Sequence, residues 1–333
     1  MRDTDKAGTV MRPIGGYFEL ELPMYDNMPN SHAVKVNSGR HALEYILRVI
    51  GVGNIRHLYV PRYTCDVVLE PIRRLGIFNY SLYDVDDNLE VRDMPDLSTG
   101  DYIIINNYFG IKDAYIRRIS RELKEHVIID NSQALYYPVE LGVRSFYSPR
   151  KFVGVPDGGL ANAVGGIDVE LEDRDLSYDR CSHLLKRIDV DSMFGYPDFK
   201  ENSAKLKGLP LRRMSKLTER LLQSIDFMTV RGDRKGNYSL LRDSLEGSNL
   251  LTTPESGSLS CPMVYPYRTK DAGLRQRLID NDVFVARYWP DVSCGNTPTS
   301  NAVDLATEIL PLPIDQRYGT EDMKRIIEII NSL

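Results

Sequence analysis

Strand-length apolar runs alternate along this chain with stretches whose apolar residues recur every third or fourth position, and few architectures accept that alternation. Arg40 to Ile50 carries Ala42, Leu43, Ile46, Leu47 and Ile50 on one helical face. A short run His57-Leu-Tyr-Val60 follows, with Pro61 as a stop. The stretch Cys65 to Leu75 is helical in pattern, with Val68, Leu69, Ile72 and Leu75 on one side and Gly76 closing it. Next come strand patterns at Phe78 to Tyr83 and Tyr102 to Ile105, a helix at Lys112 to Lys124 and a strand at Val127 to Ile129. Strands in such a series need helices to cover them, so the order predicts an α/β fold with a mainly parallel sheet and helices on both faces. Ligands of such sheets sit at the carboxyl ends of the strands. Asn106, Asn107 and Asp130 fall at those ends.

Beyond Gly166 the sequence becomes charged and weakly periodic, including Asp189 to Asn202. A helix is expected over 212–232, with Met214, Leu217, Leu221, Ile225 and Met228 along one side, linking two units. From residue 233 the pattern is that of a smaller C-terminal α+β domain. It reads as a helix at Lys235 to Leu245, strands at Met263 to Tyr267 and Val283 to Arg287, and helices at Ala272 to Asn281 and Thr320 to Asn331. Thr320 is the expected N-cap of the last, with Glu321 and Asp322 in its first turn. The expected organisation is a large domain over 1–232 and a small one over 233–333.

Composition excludes several classes. The 333 residues, 42% of them hydrophobic, can bury a large core. The net charge of -5 comes from 42 basic and 47 acidic residues that are interspersed, so no basic stripe points to nucleic acid. The longest apolar runs are strand-length, and the charged N-terminus lacks the apolar core of a signal peptide, so no membrane contact is expected and the cytoplasm is the default location. Cys65, Cys181, Cys261 and Cys294 form no Cys-x-x-Cys pair, and His32, His41, His57, His126 and His183 show no metal-ligand spacing. Gly51-Val-Gly53 lacks the third glycine and the preceding strand of a dinucleotide fingerprint.

Chemistry is concentrated in two segments, Val127-Ile-Ile-Asp-Asn-Ser-Gln-Ala134 and Ser145-Phe-Tyr-Ser-Pro-Arg-Lys151, the second followed by Asp157-Gly-Gly159. An acid at the end of a buried strand can hold a pyridine nitrogen protonated, and a lysine on a nearby loop can close an imine with an aldehyde. That is what a pyridoxal 5′-phosphate enzyme requires of Asp130 and Lys151. Each also has a plainer reading, Lys151 as a surface lysine and Asp130 as a turn or helix-cap aspartate.

Other segments extend the pattern in order along the chain: Asn37-Ser-Gly-Arg-His-Ala-Leu43, Val60-Pro-Arg-Tyr-Thr64, Asp84-Val-Asp86, Ile105-Asn-Asn-Tyr-Phe-Gly110, Arg213-Met214 and Ile309-Leu-Pro-Leu312. With the acid and lysine segments they resemble the DegT/DnrJ/EryC1/StrS family of sugar aminotransferases over nearly the whole chain. The resemblance implies a fold type I architecture, pyridoxal phosphate as cofactor, and amino transfer from an amino acid, glutamate, to a nucleotide-linked keto-sugar. Surface polysaccharide or secondary metabolite synthesis is the implied setting, and a homodimer with its site at the subunit interface the implied assembly.

The same resemblance makes Lys151 the Schiff-base lysine and Asp130 the partner of the pyridine nitrogen. Gln133 matches the position that approaches the ring's phenolic oxygen, or it is a helix-surface glutamine. Ser38, Gly39 and Arg40 open the first helix, where backbone amides can grip the cofactor phosphate, or Ser38 is an ordinary N-cap. Ser148 can donate a hydroxyl to that phosphate or serve as a turn residue before Pro149. Asn107 stands within reach of substrate or cofactor, or holds a turn.

Departures from the family pattern fall around the cofactor. Cys65 stands where an aromatic residue stacks on the ring, leaving Tyr63 or Tyr108 to do so. Leu211 stands where the neighbouring subunit supplies an asparagine to the phosphate, leaving Arg213 as a replacement, and Phe146 stands where a phosphate-binding hydroxyl is usual. Arg287-Tyr-Trp-Pro290 also suggests a divergent branch. Two other functions stay open: a binding or regulatory protein that has lost turnover, and another pyridoxal chemistry such as sugar dehydration. Lys151 argues against the second, since the dehydratases carry histidine there.

Overall fold

Successive residues of a strand face opposite sides of the sheet, so each apolar run feeds two cores. The computed structural model describes residues 14–138, 140–171, 173–289 and 300–332. Its main sheet has seven strands, β1 (Val34–Val36), β2 (His57–Pro61), β3 (Tyr80–Tyr83), β4 (Asp101–Asn106), β5 (Val127–Asn131), β6 (Arg144–Tyr147) and β7 (Gly159–Asn162). They lie in the order β1-β7-β6-β5-β4-β2-β3. β2 pairs in parallel with β3 and β4, β4 with β5, and β5 with β6, while β7 runs antiparallel to β6 and β1. The mainly parallel sheet is found as expected.

On one face Ile104 and Ile128 pack with Leu43, Ile46 and Leu47 of α1 (Gly39–Ile50) and Ile72 of α2 (Leu69–Arg74). On the other, Ile103, Ile105 and Ile129 pack with Tyr115, Ile116 and Ile119 of α3 (Asp113–Leu123). Burying each Leu or Ile of these stripes stabilises the fold by about 1.5–3 kcal/mol. This arithmetic makes the one-sided helices of the sequence into the covers of the sheet.

Beyond β7 the charged stretch forms a helical hairpin, α4 (Ser182–Asp189) and α5 (Ser192–Lys205), with Leu185, Ile188, Met193 and Phe194 exposed. The single helix expected over 212–232 is corrected to two, α6 (Lys216–Gln223) and α7 (Phe227–Leu245). Asp226 is the reason. Its carboxylate accepts from the N–H groups of Met228, at 3.0 Å, and Thr229, at 3.4 Å, which starts a new helix rather than continuing the old one. The helix expected at 235–245 is the tail of α7.

The remaining elements are β8 (Tyr265–Arg268), α8 (Leu274–Asp280), α9 (Ser300–Glu308), β9 (Ile309–Leu312) and α10 (Thr320–Asn331), with β8 and β9 antiparallel. The strand expected at Val283 to Arg287 is extended chain outside any strand of the described residues. Val283 and Val285 are buried and Phe284 is exposed, so its alternation reflects one-sided packing without a neighbouring strand. Gly319, not Thr320, is the N-cap of α10, and its N–H donates to Asp322 at 2.9 Å. One core joins Leu241 and Leu245 of α7, Tyr265, Leu312 and Ile326 to Tyr147 and Phe152, which flank the lysine loop. Among the described residues no helix is long and apolar enough to cross a membrane.

Candidate active site

β5 carries Asp130 to the carboxyl edge of the sheet, where its register partner on β4 is Asn106. Asp130 has the parity of Ile128, so its side chain leaves the sheet on the α1 face. One carboxylate oxygen accepts the N–H of Ser132 at 2.8 Å. Burial pushes the Asp130 carboxyl above the ordinary carboxylate range, opposed by the Lys151 ammonium and the hydrogen bonds from Ser132. Parallel pairing brings β6 to the same edge, and a single 3₁₀ turn, Pro149–Lys151, follows it. Lys151 Nζ donates to Ser132 Oγ at 3.0 Å. Ser132 therefore touches both groups, and all three border one cavity of about 790 Å³. The sequence reading missed Ser132, whose only signal was its place between the acid and the glutamine.

Gln133 also borders the cavity. Its Oε1 accepts the N–H of Phe109 at 2.8 Å, which leaves the amide nitrogen as the group to offer a ligand. The turn that presents this N–H needs Gly110, at φ 70°, where an added Cβ would lie 2.8 Å from the carbonyl oxygens of Cys261 and Gln133. Asn107 has both ends of its amide engaged, Nδ2 donating to Asp113 and Oδ1 accepting from the N–H of Lys112, each at 3.0 Å. Of its two readings these bonds are those of the turn. Asn106 differs: Nδ2 donates to Thr64 Oγ1 at 2.9 Å, but its buried Oδ1 has no partner among the described residues.

Ser38 is the N-cap of α1, and its hydroxyl lies 2.7 Å from His41 Nδ1, while His41 Nε2 lies 2.8 Å from the carbonyl oxygen of Leu209. A carbonyl only accepts, so Nε2 carries the proton and Ser38 donates to Nδ1. Burial holds His41 below its ordinary pKa, with the Leu209 bond opposing, which keeps the ring neutral as this arrangement needs. The Ser38 hydroxyl is thus directed to His41, and the backbone amides remain to offer at the start of α1. An added Cβ on Gly39 would lie 3.2 Å from Ser148 Cβ, which shows how closely the helix start meets the lysine loop. Arg40 lines the cavity and pairs with Glu70. Behind these groups Asp157 is fully buried and pairs with Arg180 at 2.7 Å, a structural role outside the cavity.

The residues expected to compensate for the family departures are elsewhere. Tyr63 and Tyr108 are buried against each other, with ring centroids 5.5 Å apart and the Tyr108 hydroxyl donating to the Tyr63 carbonyl at 2.6 Å. Neither borders the cavity. Tyr288 and Trp289 do, with Trp289 edge-on to Tyr63 at 4.5 Å. Cys65 faces the cavity with its thiol pKa pushed up by burial. Leu211 packs against the apolar cluster beneath α1, and Arg213 bridges Val36 and Arg174, so neither borders this chain's own cavity. Phe146 borders it, and so does Arg150, which sequence reasoning passed over.

The mainly parallel seven-stranded sheet with its helical covers is a fold type I aminotransferase-like fold. No family model and no curated protein matches the sequence. Solved structures do match. Spr1654 of Streptococcus pneumoniae, named as a sugar aminotransferase, superposes with a TM-score of 0.62 at 16% identity, covering 90% of this chain and 87% of that one. A DegT/DnrJ/EryC1/StrS aminotransferase of Brucella abortus gives 0.60 at 16% identity, with 90% and 85% covered. The sugar aminotransferase CalS13 of Micromonospora echinospora gives 0.56 at 16% identity, with 90% and 87% covered. What is shared at this identity is the fold.

Proposed function

We propose that this chain is a pyridoxal 5′-phosphate-dependent aminotransferase of the DegT/DnrJ/EryC1/StrS family. It moves an amino group from glutamate to a nucleotide-linked keto-sugar, toward a surface polysaccharide or a secondary metabolite. The observation that carries this reading is the chain Asp130, Ser132, Lys151 on one wall of a cavity at the carboxyl edge of the sheet.

The residues fit the cofactor by their chemistry. A buried carboxyl whose charged form is disfavoured is suited to meet a protonated ring nitrogen. Asn106 Oδ1 is a buried acceptor without a donor among the described residues. Bound there, the cofactor supplies an aldehyde that takes up an amino group and a ring that withdraws electrons from the carbon losing its proton. Asp130 holds the proton at the ring nitrogen, and Gln133 offers its amide to the phenolic oxygen. Ser132 positions the Lys151 amine, which moves the proton at the substrate carbon. Ser38, Gly39, Arg40 and Ser148 line the cavity, and the amides at the start of α1 with the Ser148 hydroxyl would hold the phosphate. Arg40 and Arg62 are paired with Glu70 and Asp84, and the remaining cations Arg150, Lys151 and Arg287 outnumber the acids Asp66 and Asp130 around the cavity, which favours an anionic substrate such as a diphosphate-linked sugar. The working assembly is a homodimer; of the two units expected in each chain, 1–232 and 233–333, the boundary falls inside α7, which both therefore share.

The purified protein should be yellow, with absorbance near about 420 nm that borohydride fixes onto Lys151. Peptide mass mapping of the reduced protein identifies the modified residue. A colourless protein that takes up no cofactor overturns the reading. A loaded protein whose spectrum glutamate does not change keeps the cofactor and overturns the donor.

A further inference from the structure

Arg150 stands immediately before Lys151, and no carboxylate pairs with it among the described residues. Its Nη2 donates to Ser203 Oγ at 3.2 Å, and its guanidinium lies 5.5 Å over the ring of Phe199, both residues of α5. Arg40, in the first turn of α1, lies near enough to oppose its charge. Burial and that like charge both push the Arg150 guanidinium below its ordinary pKa, with Asp157 opposing. Ser38, Gly39, Ser148 and Ser203 border the same cavity as these two arginines.

The Arg150 guanidinium, Arg40 with its ion pair to Glu70, the positive end of a twelve-residue helix and two serine hydroxyls form a concentration of donors and positive charge. Like charges held together are unfavourable in isolation, and a dianion between them reverses the sign through charge-assisted hydrogen bonds. Ser203 uses one donor of Arg150 and leaves the rest of its fork available. We propose that Arg150, steadied by Ser203 and Phe199, holds the cofactor's phosphate and gives the site its preference for the phosphorylated form; this rests on the pyridoxal phosphate reading. It takes the part that Phe146 cannot play for want of a hydroxyl, and that Leu211 cannot play from its apolar packing. α5 of the same chain then forms part of the phosphate subsite.

The test compares pyridoxal phosphate with pyridoxal, which lacks only the phosphate. Full-length protein stripped of cofactor is titrated with each, reading the visible band and, after borohydride, the mass added at Lys151. Wild type is expected to prefer the phosphorylated form by about 100-fold or more, and Arg150→Ala to cut that preference by about 10-fold or more with pyridoxal binding unchanged. Arg150→Lys should recover part of it, and Ser203→Ala should show a smaller loss in the same direction. Inorganic phosphate should compete with pyridoxal phosphate in wild type and much less in Arg150→Ala. An unchanged preference in Arg150→Ala overturns the proposal, and so does an equal loss for both ligands, which would make Arg150 a structural post. Wild type that binds neither ligand overturns the cofactor reading and this inference together, whereas binding with an unchanged preference overturns this inference alone.

Discussion

Asp130 carries a conflict that a bound cation would resolve. Burial raises the Asp130 pKa above the unfolded value of about 3.9, and the Lys151 ammonium offsets this only in part. A carboxyl that holds its proton more tightly when folded favours folding below the unfolded pKa, and that contribution is lost as pH rises through the folded value. Asp130→Asn keeps the shape, and its amide oxygen can still accept from Ser132. It should therefore raise the melting temperature of cofactor-free protein at pH 7, by about 2 °C for each ~1 kcal/mol recovered. The gain should shrink as pH falls toward about 4, and cofactor affinity should fall at the same time. Calorimetry of both proteins across pH, with a cofactor titration, checks this; a lower melting temperature for the variant at pH 7 contradicts it. Asp130 and Lys151 were legible in the sequence because a strand end and a loop after the next strand are local features. Ser132 and Arg150 were not, because their partners are set by tertiary folding: Arg150 meets Ser203 from the α4–α5 hairpin, which the sequence pattern did not reveal.

The position of α1 depends on how closely β7 passes beneath its first residues. A Cβ added at Gly159 would lie 2.2 Å from the carbonyl oxygen of Ser38, which no rotamer change can relieve because the clash is with backbone. Gly159→Ala should destabilise the protein by about 1–3 kcal/mol through forced displacement. It should also weaken cofactor binding, since the start of α1 would shift against Ser148. A urea midpoint and a cofactor titration, both unchanged from wild type, would remove α1 placement from the account. Periodicity located α1, α2, α3 and strands β2 to β5, because each buries a regular stripe. β1, β6 and β7 escaped it: they have three or four residues each, and β6 was read as a motif rather than as a strand. α6 and α7 were fused because both present apolar residues to one core, so spacing continued across the break that Asp226 makes.

At the scale of the molecule, the unexplained surface is apolar. Ile188 is 81% exposed and Phe194 59%, with Leu185, Val190 and Met193 beside them in the hairpin sequence, and Tyr17 and Phe18 of the N-terminal segment are open to solvent as well. Exposed apolar side chains gathered along one helical hairpin are the composition of an interface. The homodimer proposed above supplies an occupant, a second copy of this chain. Sedimentation should give twice the chain mass, and Ile188→Glu with Phe194→Glu should give the monomer with its helical content retained. Because α5 also carries Ser203 and Phe199, which hold Arg150, the monomer should bind pyridoxal phosphate more weakly while pyridoxal is little affected. A wild-type protein that sediments at the mass of one chain excludes the dimer. A monomeric variant with unchanged preference for the phosphorylated cofactor separates the interface from the phosphate subsite, and would mean that the hairpin keeps its place on its own chain without a partner.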